Sequence, residues 1–381
     1  MRFHSFVAAT LMTLATAPTI AAAQEPDWGA ARQETLEHLQ AMIRMNTVNP
    51  PGNELPVARY LDSTLKAAGI ETHLFEPAPG RGALVARIKG NGSKKPVLIM
   101  GHMDVVGVER AHWSVDPFAA EIKDGNIVCR GVANSKGALA ASILAFASAS
   151  SPCRQVFICE GEEELGSTRL AAFCDAHRDE LAGDFALDFD LQERPGSIFA
   201  GVKGIYDIEL SAGGGPDIHS SRVAEVAEPA IELARAVLEL KAAVPVTNVA
   251  WMLAGTPEDV SRTVVPGTAR AGVDIRYDEP FELPTLSNGV ELHLKGTYPP
   301  ALSDPDAPPV RALAEALRRH GTEPQVVPRA PWWAPYHVFG DIPFASGGPG
   351  HAGGAHGPDE WAEIQGLRRL MHVAYDALTL L

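Results

Sequence analysis

Val97-Leu98-Ile99-Met100-Gly101-His102-Met103-Asp104 is the stretch that decides the fold of this chain. Four consecutive apolar residues read as a short strand buried on both faces, and a turn carrying an imidazole and a carboxylate follows directly. The pattern recurs. Val156-Phe157-Ile158-Cys159 runs into Glu160-Gly161-Glu162-Glu163-Glu164-Leu165-Gly166-Ser167, and Phe185-Ala186-Leu187 runs into Asp188-Phe189-Asp190. Pro343-Phe344-Ala345-Ser346 runs into a glycine-rich loop that ends at His356-Gly357-Pro358-Asp359-Glu360. Helical spacing fills 137–148 and 167–178. Short buried strands alternating with helices predict an α/β domain, a sheet with helices on both faces, whose ligands gather beyond the carboxyl ends of its strands.

Outward from this centre, helix patterns cover 28–45 and 55–68, and apolar runs at 72–76 and 83–88 read as strands. From about Gly204 the texture changes to an inserted α+β unit: strands at 205–211, 263–276 and 290–294, and a helix at 227–240. The first domain resumes through the linker 303–309, with a helix at 310–320, strands at 325–327 and 343–346, and a helix at 358–380. The domain reading is therefore 24–203 and 304–381 for the first domain and 204–303 for the insert.

The ends and the composition narrow the function. Arg2, an apolar run over 6–17 and Ala21-Ala22-Ala23 before Gln24 read as a cleaved export signal at 1–23. Pro18 and several threonines break that run, which barely reaches the length of a membrane span. No later segment reads as a span, so the expectation is an exported chain, periplasmic or secreted, with no membrane attachment after cleavage. The formal charge of −15 over 381 residues excludes a nucleic-acid partner, because phosphate binding needs clustered Lys and Arg. Cys129, Cys153, Cys159 and Cys174 form no C-x-x-C pair, so a cysteine zinc site is not expected, while disulfides and free thiols both stay open.

Imidazoles and carboxylates are the ligand set of a catalytic zinc centre. In His102-Met103-Asp104 the histidine can bind metal while the aspartate holds its other ring nitrogen. Among adjacent glutamates one can bind metal while its neighbour moves a proton. Each cluster also has a plainer reading: a polar turn for the first, helix N-terminal acids for the second, and Pro358 opening a helix for the last. Four such clusters, all at strand ends, point to one site.

With these residues in view, the chain resembles the zinc aminoacylase and carboxypeptidase superfamily, which includes carnosine dipeptidases, glutamate carboxypeptidases, and desuccinylases and deacetylases. The resemblance rests on Gly-His-x-Asp-Val-Val at 101–106, Trp113 with Asp116-Pro117-Phe118, and Arg130-Gly131 with Lys136-Gly137. It rests further on Glu163-Glu164-x-Gly-Ser at 163–167, Asp217-Ile218-His219-Ser220, and His356 before Pro358-Asp359-Glu360. It implies a zinc-exopeptidase-like catalytic domain with a mixed sheet, plus a ferredoxin-like lid that also serves homodimerisation. His102, Glu164, Asp190 and His356 would be metal ligands, with Asp188 a substitute for Asp190. Asp104 would orient His102, Glu163 would be the general base, His219 would donate to the oxyanion from a partner subunit, and Arg276 would bind a substrate carboxylate. The implied cofactor is zinc, one ion or two, with cobalt or manganese as substitutes. The implied reaction is hydrolysis of a small peptide, with an N-acyl amino acid as the alternative substrate.

The departures carry information. The family pattern Arg-Gly-x-x-Asp-x-Lys-Gly places a metal-bridging aspartate where this chain has Asn134. Asn134 can still coordinate metal through its amide oxygen and stays among the expected ligands, but a neutral amide lacks the charge that holds two dications together, so the second metal should bind weakly or be absent. A metal-poor binding protein is the alternative that Asn134 raises. The second lid helix is expected to shrink to about 279–287. The usual polar substrate-binding loop is replaced by Ala330-Pro331-Trp332-Trp333-Ala334-Pro335-Tyr336, which suggests either an apolar substrate group or simple packing.

Overall fold

The computed structural model describes residues 26–148, 153–179, 181–255, 262–287 and 289–381. The export signal expected at 1–23 lies outside them. Its principal sheet has eleven strands among the described residues. Cys153–Glu160, Lys94–His102, Phe185–Gln192 and Phe344–Gly353 lie side by side and parallel, and the antiparallel pair Glu71–Ala78 and Arg81–Ile88 extends one edge. The parallel strands are buried almost throughout, as their unbroken apolar runs require.

Helices cover both faces of this sheet. Leu39, Leu61, Leu139, Phe146, Leu313 and Leu370 pack from five helices into the larger core. The opposite face is covered by the helix Thr168–Ala176, through Leu170 and Cys174, together with the segment around Tyr336. All four cysteines are buried free thiols. No helix of the described residues is long and apolar enough to cross a membrane.

The insert is a second sheet of four strands, in the order Thr247–Ala254, Thr268–Tyr277, Gly204–Gly213, Glu291–Tyr298. The helix Pro229–Ala243 packs on one face through Leu233, Val237 and Leu240. Several sequence expectations shift here. The strand expected over 263–276 is split into Val264–Val265 and Thr268–Tyr277, because Pro266 has no N–H to give a ladder. No helix forms over 279–287, so among the described residues the lid sheet carries one α-helix where a ferredoxin-like unit has two. The edge strand Thr247–Ala254 was not anticipated; Trp251 and Met252 are exposed on it, which hides its periodicity. In the principal domain, the helix expected over 358–380 starts only at Ile364, and the short strand Trp361–Glu363 precedes it.

Candidate metal centre

His102 ends its strand and is nearly buried. Its Nδ1 donates to the Asp104 backbone oxygen at 3.0 Å and faces Asp104 Oδ1 at 3.3 Å. Asp104, fully buried, also accepts from the backbone N–H groups of Glu163 at 3.2 Å and Glu164 at 3.1 Å, and from Asn49 Nδ2 at 2.9 Å. One carboxylate therefore fixes the histidine and the turn that carries both glutamates. In the sequence, Asn49 opens Asn49-Pro50-Pro51-Gly52, which ends the first helix pattern and gives no hint of this role.

Ligand atoms of His102, Glu163 and Glu164 all lie within 4.8 Å of one another. His102 Nε2 stands 3.8 Å from Glu163 Oε2, and His356 Nε2 stands 3.2 Å from Glu164 Oε1. Between the two histidines sits Asn134. Its Oδ1 accepts from His102 Nε2 at 3.1 Å, and its Nδ2 lies 2.8 Å from His356 Nε2. The place that the family pattern gives to a bridging carboxylate is thus filled by an amide in hydrogen-bond contact with both imidazoles. Imidazole and carboxylate donors in this arrangement fit a zinc-like divalent cation.

Local sequence explains why the loop of Asn134 holds its shape. Gly131 has φ of 87°, and a Cβ on Gly137 would meet the Val132 oxygen at 2.2 Å, so both positions exclude larger residues. Lys136 is buried and donates to the oxygens of Met42 at 3.0 Å and Met45 at 3.2 Å, tying the loop to the end of the helix Trp28–Arg44. Burial pulls the Lys136 amine down to about 7. The larger support is Glu360, whose carboxylate is wholly buried. It accepts from Arg130 Nη1 at 2.6 Å and from the N–H groups of Gly131 at 3.1 Å, Ala133 at 2.7 Å and Asn134 at 3.1 Å. Arg130 stacks over Trp113 at 5.1 Å. Sequence reasoning took Glu360 for a first-turn helix acid. Its real task has no local signature, because its partners lie more than 200 residues away.

Asp188 and Asp190 fall inside the strand Phe185–Gln192, not beyond it, and both line the cavity. Tyr336 donates to Asp188 Oδ2 at 2.7 Å, and Asp190 Oδ1 accepts from the Leu191 N–H at 2.7 Å. The cavity, about 830 Å³, also takes in Asp207, Asp274, Arg276 and Tyr298 from the lid sheet, so both sheets enclose it. Arg276 lines it while pairing with Asp274 at 3.1 Å. His219 is exposed on the lid ribbon, beside the Ser221 hydroxyl at 2.9 Å, and does not line the cavity of its own chain.

The electrostatics suit proton transfer. Burial pushes Glu163 up to about 8; the His102 charge opposes this, and Glu164 and Asp104 reinforce it. Burial likewise lifts Asp188 to about 6. Burial resists a charge on His102, yet its bond to Asp104 and the nearby Glu163 carboxylate raise it well above its ordinary value. The contact with Glu164 raises His356 as well.

The sequence pattern of Peptidase family M20/M25/M40 matches residues 98–379. Probable di- and tripeptidase DUG2 of Saccharomyces cerevisiae is 29% identical over 240 residues, 55% of this chain and 27% of that protein. Succinyl-diaminopimelate desuccinylase of Beijerinckia indica is 41% identical over 116 residues, 29% of each. The chain thus spans less than a third of the length of these curated relatives. Among solved structures, the M20 family metallo-carboxypeptidase Sso-CP2 of Sulfolobus solfataricus superposes with a TM-score of 0.77 at 23% identity, over 91% of this chain and 99% of that one. The di-peptidase Dug1p of Saccharomyces cerevisiae gives 0.74 at 18% identity, over 93% and 98%.

Proposed function

The chain belongs to Peptidase family M20/M25/M40, and from that premise we propose that it hydrolyses a peptide or N-acyl amide bond in the cavity between its two sheets. The observation that carries this reading is Glu163, partly buried beside His102 and Glu164 with their ligand atoms within 4.8 Å. His102, Glu164 and His356 would hold the metal together with one of the pair Asp188 and Asp190. Asp188 is favoured, because its charge acts on Glu163 and is itself tempered by His102. Zinc suits this donor set best, with cobalt and manganese as substitutes, and the neutral Asn134 favours one tightly held ion over two. Such a cation polarises the amide carbonyl and acidifies water.

Glu163 takes a proton from the attacking water and returns it to the leaving amine, a task that fits a carboxyl whose affinity for protons is raised by burial. Asp104 keeps His102 and both glutamates in register during this exchange. Arg276 offers a charge for a substrate carboxylate at the lid side. His219 of the partner subunit donates to the tetrahedral oxyanion in a homodimer joined through the lid; removing such a donor typically costs about 100- to 1,000-fold in rate. The chain acts outside the cytoplasm, after loss of residues 1–23.

Two substrate classes share this chemistry, dipeptides and N-acyl amino acids, and the family also contains relatives named for each. The test is a hydrolysis panel of both, run on chelated protein and after zinc is restored. Zinc-dependent turnover of either class supports the proposal and identifies the class. Hydrolysis of neither class contradicts it, and little bound zinc would then mark the metal-poor binding protein that Asn134 raises.

A further inference from the structure

Trp332 and Trp333 are adjacent in sequence and do different things. Trp333 is buried, its Nε1 donates to the Pro299 oxygen at 3.3 Å, and its ring meets Tyr298 edge-on at 5.1 Å. Trp333 lines the cavity as well, but packing and this hydrogen bond hold it in place. Trp332 is only partly buried and lines the cavity, with its ring edge-on to Phe199 at 5.3 Å. Its backbone is pinned, because its carbonyl oxygen accepts from the Lys203 N–H at 3.0 Å. This indole packs in part against the core around Phe199 and Tyr336 and in part lines the cavity, where its remaining surface can bind an apolar group.

Strand register locates this surface relative to the carboxylates. Phe199 lies opposite Ser346, and Ser346 lies opposite Asp188. Two strand spacings, roughly 10 Å, therefore separate the Phe199 backbone from that of Asp188. Glu163, which feels the Asp188 charge, lines the same cavity as Phe199 and Trp332.

We propose that Trp332, backed by Phe199, is a specificity platform that selects amides bearing an aromatic or bulky aliphatic group beside the bond to be cut. This rests on the hydrolytic reading above and names its substrate class. Its chemistry is apolar contact and ring stacking, in place of the polar recognition expected from the loop this segment replaces.

The test compares kcat/KM for Ala-Phe and Phe-Ala against Ala-Ala, and for N-acetylphenylalanine against N-acetylalanine, with the zinc-restored full chain. The wild type should prefer the aromatic member of at least one comparison by roughly tenfold or more. Trp332→Ala should erase most of that preference through KM, with little change for the alanine compounds, and Trp332→Phe should restore part of it. An equal loss on aromatic and alanine compounds, or no preference in the wild type, overturns the proposal. If no compound is hydrolysed, calorimetry of N-acetylphenylalanine and N-acetylalanine binding to wild type and Trp332→Ala decides the matter. Failure of the hydrolytic reading is then visible separately from failure of the platform.

Discussion

Glu360→Gln tests the structural logic of the site most severely. The substitution keeps volume and shape while removing a charge from a carboxylate that is fully buried against Arg130, whose side chain is only 3% exposed. Breaking a buried pair from one side typically costs about 3–5 kcal/mol. The amide adds a second fault. Both carboxylate oxygens accept backbone N–H groups, from Gly131 on one side and from Ala133 and Asn134 on the other, and the new NH₂ must face one of these sets. A buried donor left unpaired costs about 1–3 kcal/mol. The terms overlap, so the expected loss is about 4–6 kcal/mol, beyond the range of ordinary substitutions. The same change releases the turn that aims Asn134 between His102 and His356, so metal affinity in the folded fraction should fall at least tenfold. Urea unfolding of chelated protein measures the first effect and competition with a chromogenic chelator the second. Glu363→Gln is the control, because its pair with Arg369 at 2.7 Å has both side chains more than a third exposed and should contribute under about 1 kcal/mol. If Glu360→Gln unfolds within 1 kcal/mol of wild type, the account of the 130–135 turn fails.

Two further outcomes follow from the same geometry. Asn134→Asp restores the expected bridging carboxylate between the imidazoles and should raise bound zinc towards two per chain by elemental analysis; two tightly held ions in the unaltered protein would refute this reading of Asn134. In metal-free protein, Glu163 and Asp188 hold protons to about 8 and about 6 that the unfolded chain releases near their ordinary values of 4.5 and 3.8. The folded state therefore binds more protons over that span, so stability should fall as pH rises from about 4 to 7; above 7 the buried Lys136, drawn down to about 7, pushes the other way. His102 and His356, both raised, push in the same direction. Thermal unfolding of chelated protein across this range checks it, and a flat or rising profile contradicts it.

Much of the fold was legible because buried parallel strands leave unbroken apolar runs, and each run stopped at a cluster that the structure brings to one cavity. Most of what escaped notice had non-local causes. Asp188 and Asp190 read as lying past their strand, yet pairing with Phe344–Gly353 takes in Asp188 and resumes at Leu191, leaving Asp190 at the irregularity between them. Glu360 imitates a helix start because Pro358 and Asp359 precede it, and only distant Arg130 reveals its role. The lid departed most: an exposed edge strand has weak periodicity, while Pro280 and Pro284 inside 279–287 break the helix expected there. Tyr336 stood out only as one aromatic among several; its bond to Asp188 depends on a strand neighbour no local pattern encodes.

The most direct measurement is Glu163→Gln, assayed for zinc content and for turnover of the best substrate in the panel. The account predicts a rate loss of at least about 100-fold with zinc per chain unchanged, because the side chain moves protons and does not hold the ion. Undiminished turnover, or loss of the metal along with the activity, would contradict it.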